Sequence, residues 1–205
     1  MFRLRKIDSL DLPELQPYRT MRRPHEHREQ GIFVAEGEKV VRRLLASKFA
    51  VVSVLLPEKW VADYEPLIRS RPEPDIPVFV VSEKNVLEEL VGFSMYQGVL
   101  AVGRIPARPS LAEILSRSPV PRLFVAVDGL TSAENLGALV RNCAAFGAHG
   151  LIVGETSTSP FLRRAVRNSM GTIFELPAVE TSVLAETLRE LRSAAPDLEL
   201  YLRAE

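Results

Sequence analysis

Cysteine is almost missing from this chain: Cys143 stands alone among 205 residues. A disulfide framework within the chain is thereby excluded, and a reducing, cytoplasmic setting fits. Long apolar runs are missing as well, and none approaches the ~20 residues of a membrane helix. The opening stretch, Met1 to Leu15, carries charges where a signal peptide needs an apolar centre. Net charge is zero, with 26 basic and 26 acidic residues. The molecule as a whole is no polycation, so any nucleic-acid-binding face would have to come from local clustering. Histidines number three, and His25-Glu26-His27 lacks a helical His-x-x-x-His spacing and a nearby cysteine. It reads as a solvent-exposed patch, and no metal site is expected. Internal repeats and low-complexity tracts are absent. So is a Gly-x-Gly-x-x-Gly after Val127, which argues against a dinucleotide-binding domain.

The length and the 46% hydrophobic fraction allow one large or two small domains. Residues 1–30 are polar and mixed and predict one or two helices around Asp8 to Arg28, interrupted at Pro24. Gly31 to Glu36 predicts a strand, with Gly37 turning into a helix whose apolar face is Val40, Val41, Leu44 and Leu45. Further strands are expected at Val51 to Leu56, Val78 to Val81 and Gln97 to Gly103. Helices are expected at Glu58 to Arg69 and from Ser82 to near Gly92. This alternation specifies an α/β sandwich around a small sheet. Ile105 to Pro109 is a linker with two prolines, and Ser110-Leu-Ala-Glu113 is a capping box opening a short helix. Beyond it, strands are expected at Leu123 to Val127, Leu151 to Gly154, Ile173 to Leu176 and Leu198 to Leu202. The helices between them are Glu134 to Phe146, Pro160 to Asn168 with Pro160 in its first turn, and Ser182 to Arg192. The βαβ rhythm implies parallel pairing.

One stretch organises the second half. Leu123 to Val127 is an apolar strand, Asp128-Gly129 breaks it, and Thr131-Ser-Ala-Glu134 reads as a capping box. The helix that follows buries Leu136, Leu139, Val140 and Cys143, and Gly147 ends it. Cys143 is a small core residue there. In open α/β sheets ligands bind at such strand-to-helix turns. Gly137, in the first turns of the helix, costs about 1 kcal/mol of propensity relative to Ala. It makes sense if another backbone or a ligand comes close. Basic residues crowd at Arg19, Arg22, Arg23 and Arg28, and again at Arg163, Arg164 and Arg167; such clusters are most often solvated faces.

Asn135, Gly137 and Arg141 stand at the spacing Asn-x-Gly-x-x-x-Arg. That stretch resembles the first motif of the SpoU (TrmH) branch of the SPOUT RNA methyltransferases. Arg167-Asn-Ser169-Met-Gly171, before a segment ending in Pro177, resembles the family's Arg-x-Ser-x-Gly segment. Tyr96-Gln-Gly-Val-Leu-Ala-Val102 resembles the end of its N-terminal substrate-binding domain. Phe33-Val-Ala-Glu36-Gly37 resembles that domain's strand-to-helix segment. The first three of these stretches, standing in the right order, are far more specific than any one of them.

The resemblance implies an α/β fold: a small L30e-like α/β sandwich over residues 1–104, a linker and short helix over 105–121, and a SPOUT parallel-sheet domain, Rossmann-like and knotted in the full-length family, over 122–205. It implies an enzyme that transfers a methyl group from S-adenosylmethionine to a ribose 2′-hydroxyl of rRNA or tRNA. The alternative is a non-catalytic RNA-binding protein built from the same two domains. The family continues past a strand like Leu198 to Leu202 into two further motifs that supply most of the cofactor pocket. The SPOUT domain is therefore expected to be incomplete, with no cofactor-binding residue assigned. Its causes stay open: a partial product of a full enzyme, a natural remnant, or completion by another chain.

The implied catalytic residues are Asn135 and Arg141. A guanidinium is a poor base, since its pKa lies above ~12. Arg141 then either stabilises the developing alkoxide or fixes the adjacent phosphate. Six helical residues turn about 600°, so Asn135 and Arg141 face about 120° apart unless Asn135 stands at a frayed helix start. RNA contacts are expected from Arg22, Arg28, Arg163, Arg164 and Arg167. Gly137, Ser169 and Gly171 shape the pocket, with a helix stop and turn as the equal alternative for the last two. Glu36 reads as structural ahead of an RNA contact. The resemblance further implies structured RNA as partner and a homodimer, with no DNA and no membrane.

Overall fold

The computed structural model describes residues 2–9, 11–82, 98–199 and 201. The helix expected from Ser82, the Tyr96-Gln97 part of one motif, and Leu202 fall wholly or partly outside them. Two sheets carry the architecture. The first has five strands: β1 (Phe2–Ile7), β2 (Ile32–Glu36), β3 (Val51–Pro57), β4 (Ile76–Val81) and β5 (Leu100–Arg104), in the order β1-β4-β3-β5-β2. β1, β4 and β3 run parallel, while β5 is antiparallel to both β3 and β2. The helices of this unit are α1 (Gln16–Arg19), α2 (Pro24–Glu29), α3 (Glu38–Ala46) and α4 (Val61–Arg69).

β1 overturns the expectation of helix alone at the N-terminus. Its sequence, Phe-Arg-Leu-Arg-Lys-Ile, hides the strand because Arg3, Arg5 and Lys6 are exposed. A sheet edge carries such charges because they discourage pairing with another chain. Pro24 does not interrupt a helix but begins α2, where its missing N–H costs nothing. His27 is buried at 6% exposure against Thr20, whose hydroxyl lies 3.1 Å from Nε2, so the His-Glu-His segment is not a wholly exposed patch.

Every residue of β2 is buried, because both faces of the first sheet are covered. Ile32 and Val34 face a cluster with Leu15, Tyr18 and Phe79. Phe33 and Ala35 face the opposite cluster, which continues through α3 into the second half of the chain. The period of two along an extended strand sorts these side chains to opposite faces.

The second unit follows α5 (Leu111–Arg117), whose Ser110–Glu113 capping box forms as the pattern specifies. Its sheet is parallel, in the order β6 (Phe124–Val127), β7 (Gly150–Val153), β8 (Ala178–Glu180). α6 (Ala133–Ala145), α7 (Arg163–Asn168) and α8 (Leu184–Ala194) complete it. Three boundaries differ from the pattern. Ser132, not Thr131, caps α6, accepting from the backbone N–H of Asn135. Pro160 precedes α7 by a turn instead of opening it. Ile173 and Phe174 form a 3₁₀ turn after Gly171 at φ +83°, and the third strand comes after Pro177. Both are apolar and buried, which made them look like a strand; burial alone does not distinguish a short strand from a buried turn. Leu198 and Glu199 lie in no strand.

The two units share one core. Phe33 and Phe49 of the first pack with Phe161 and Phe174 of the second, with ring centroids 5.4 to 6.2 Å apart. Such offset and edge contacts suit the ring quadrupoles. Ile105, at the start of the linker, also packs here and donates its N–H to the Gly31 carbonyl.

Candidate functional site

Gly137 resolves the question that its place in α6 raised. A Cβ there would overlap the Ala165 carbonyl oxygen of α7 and lie 2.8 Å from Asn168 Cβ. It is a backbone, not a ligand, that comes close. The missing side chain lets α7 lie against α6, and Ala165 and Val166 are fully buried beneath it. Ser169 is likewise structural: its hydroxyl donates to the Val166 carbonyl and accepts from the Gly171 N–H, with no exposure. Gly171 takes a left-handed turn against Arg43, which donates to the Met170 carbonyl from the first unit.

α7 thereby presents its arginines to the first unit. Arg163 binds one carboxylate oxygen of Glu36, and Arg167 donates to the other at 2.7 Å. Glu36 ends β2 and is buried at 3% exposure. Two guanidiniums on one buried carboxylate supply the pairing that a buried charge requires. Arg164 pairs with Glu134 at 3.0 Å on the surface. The Glu134 carboxyl is held below the usual range, first by its own backbone N–H at the start of α6 and then by Arg164.

Arg22, Arg28, Arg163 and Arg164 all line one cavity of about 290 Å³ between the units, together with His27, Ser159 and an apolar wall that includes Phe161. Four of the five arginines expected to meet RNA thus converge from two distant segments. The fifth, Arg167, sits beside them through Glu36 but does not line the cavity. Arg28 lies 3.9 Å from the Glu180 carboxylate.

Asn135 and Arg141 stand elsewhere. Both are exposed on α6, and neither side chain has a hydrogen bond or ion pair among the described residues. Arg141 lies about 12 Å along the helix axis from Ala133, at 1.5 Å per residue. It lines neither this cavity nor the second, which adjoins β6 and α8. Phe146, 80% exposed, ends the same helix.

At the carboxyl edge of the second sheet the polar groups engage one another. Asp128 accepts from both the backbone N–H and the hydroxyl of Thr156, which together with the Gly129 N–H hold its carboxyl below the usual range. Thr156 and Ser157 hydroxyls accept from the Gly129 and Leu130 N–H groups. Asp128, Gly129 and Thr156 are exposed at this edge. Sequence reasoning missed Asp128 and Thr156, although Asp-Gly at a strand end was a visible signal. No group of His, Cys, Asp and Glu among the described residues could hold a metal.

An α/β unit packed on a parallel-sheet unit, with arginines of both lining one cavity, is the arrangement to set beside known proteins. Residues 122–203 match the model of the SpoU rRNA Methylase family. An uncharacterized tRNA/rRNA methyltransferase of Mycobacterium tuberculosis (strain H37Rv) is 30% identical over 172 residues, 82% of this chain and 57% of that protein. A 23S rRNA (uridine(2479)-2′-O)-methyltransferase of Streptomyces viridochromogenes is 39% identical over 101 residues, 47% of this chain and 33% of that protein. The SpoU methyltransferase AviRb of Streptomyces viridochromogenes, solved with AdoMet, superposes with a TM-score of 0.69 at 25% identity, covering 91% of this chain and 68% of that one. The chain spans little more than half the length of the mycobacterial relative.

Proposed function

We propose that this chain serves S-adenosylmethionine-dependent methylation of a ribose 2′-hydroxyl in rRNA or tRNA. The observation that carries it is the convergence of Arg22, Arg28, Arg163 and Arg164 on one cavity within a chain whose residues 122–203 match this family's model. The two units grip the RNA backbone through guanidinium–phosphate contacts, which position the strand and weaken with salt. S-adenosylmethionine, when bound, supplies the methyl group.

Arg141 acts on the reacting ribose by stabilising negative charge on its oxygen or by holding the adjacent phosphate, and Asn135 orients that arrangement. Its open position on α6 leaves the other wall of such a site to the RNA or to a second copy. A homodimer through the face carrying Phe146 supplies that wall. The reducing compartment that Cys143 suits is the cytoplasm; among the described residues no helix is long and apolar enough to cross a membrane.

The test is a methylation assay on total ribosomal and transfer RNA with labelled S-adenosylmethionine, comparing the protein with its Arg141→Ala variant. Turnover is expected to collapse while RNA affinity falls less than about threefold. Unchanged turnover rejects the role of Arg141. RNA binding with no methyl transfer by the parent protein favours the non-catalytic reading.

A further inference from the structure

The cavity lies between the two units and is lined by both. Its arginines come from the segment around α2 and from α7. Among the described residues no carboxylate lines it, although Glu36, Glu134 and Glu180 stand behind Arg163, Arg164 and Arg28. Between the arginines lie Met21, Ile32, Ile105, Phe161 and Leu162. Phe161 is half-buried, packed on Phe33 and Phe49 through one side of the core while forming part of the cavity wall. Ser159, only 9% exposed, accepts from the Phe161 N–H at 3.3 Å, and its hydroxyl donates to no group among the described residues. His27 is already engaged by Thr20 and the Pro17 carbonyl, so it serves as wall.

We propose that this cavity receives one unpaired nucleotide of the RNA, with the base against Phe161 and the Ser159 hydroxyl and its phosphates on the arginine rim. The proposal rests on the RNA reading above and adds the form of the substrate: an extruded or single-stranded nucleotide, not a duplex backbone. A volume of about 290 Å³ stands at the small end of ligand cavities, about 300–1,000 Å³, and suits one ring system. A duplex offers convex ridges of phosphate that cannot enter a pocket. A splayed base has an apolar π-face for an aromatic ring and polar edges for a hydroxyl, the usual basis of single-strand recognition. An acidic peptide matches the guanidiniums but leaves the apolar wall and ring without a partner.

The test uses fluorescence anisotropy with two labelled ten-unit probes of equal charge: single-stranded oligoadenylate and an abasic ribose-phosphate oligomer. The adenylate is expected to bind about tenfold tighter or better, the effect of one base stacked on an aromatic side chain. Ala133→Trp, which fills the cavity from its lip, brings adenylate down to the abasic level, and Arg28→Ala weakens both probes. Circular dichroism checks folding; if the Trp variant does not fold, Ala133→Met is measured instead, with the same direction expected. Equal affinity for the two probes overturns the nucleotide pocket and leaves the arginine–phosphate reading standing. Binding of neither probe overturns both. Competitive displacement of adenylate by S-adenosylmethionine alone also overturns the proposal, since the cavity would then belong to the cofactor.

Discussion

Glu36 and Arg167 lie 131 positions apart, and Arg167 Nη1 donates to Glu36 Oε1 at 2.7 Å. The carboxylate is almost fully buried, while Arg167 is about half exposed. Arg163 takes the other oxygen and is itself mostly buried. The pair therefore works as a pin through the junction, with the phenylalanine cluster around it. It also sets the direction of α7, and so decides which arginines face the cavity.

Removing the carboxylate leaves Arg163 buried without a counter-charge. Breaking a buried pair in this way costs about 3–5 kcal/mol, and the lower end applies because Arg167 can rehydrate. Urea unfolding of Glu36→Ala is expected to show that loss, with Glu36→Gln intermediate because it keeps an acceptor. A change under about 1 kcal/mol would mean that the aromatic cluster alone holds the units together.

Gly137→Ala tests the close approach of α6 and α7. Propensity alone expects a gain of about 1 kcal/mol in a helix interior. The Ala165 carbonyl stands where the new methyl must go, and a backbone cannot swing aside as a long side chain can. A net loss of about 1–3 kcal/mol is expected, in line with overpacking. Thermal denaturation decides the sign; a stabilised variant would contradict the packing.

His27 makes stability depend on pH. Burial holds the ring below its ordinary value, opposed by the Pro17 carbonyl and Glu26. The unfolded chain, at about 6.5, therefore takes up a proton before the folded chain does. The contribution is full above that value and is lost as pH falls from there toward the depressed folded value. Denaturation midpoints measured between pH 7.5 and 5 should fall, and the His27→Gln slope should be flatter. Parallel slopes would place the dependence elsewhere.

Arg141→Ala should leave the fold alone. The side chain is exposed and has no bond among the described residues, and such surface changes stay within about 0.5 kcal/mol. An unchanged melting temperature beside a collapsed methylation rate separates a chemical role from a structural one. A large drop in melting temperature would show that the arginine is part of the packing.

Thr156→Val removes the hydroxyl that bonds the Asp128 carboxyl at 2.7 Å. The carboxyl is then expected to titrate closer to the ordinary aspartate range, read from its NMR chemical shift against pH. An unmoved titration would assign the depression to the backbone N–H groups instead.

Much of the fold was legible in local pattern. The apolar run at Leu123 to Val127, the Asp-Gly break and the 3.6-residue spacing of Leu136, Val140 and Cys143 specified β6 and α6, and both form. The Asn135-Gly137-Arg141 spacing pointed to the family, whose model matches 122–203. β1 was not legible, because its charges mask an edge strand that only β4 defines. The turn at Ile173 and Phe174 was misread as a strand, since buried apolar pairs look alike in either form.

Sequence by itself determined β6, α6 and β7 of the second unit and its likeness to the SpoU family, because capping, periodicity and turn chemistry act over a few residues. Only the tertiary structure decided what Gly137 is for, that Ser169 serves a turn, that Arg163 and Arg167 pin Glu36, and that Arg22 and Arg28 meet α7 across a cavity. The last two join groups more than a hundred positions apart, and they follow from how two sheets pack on one core, which no local pattern records.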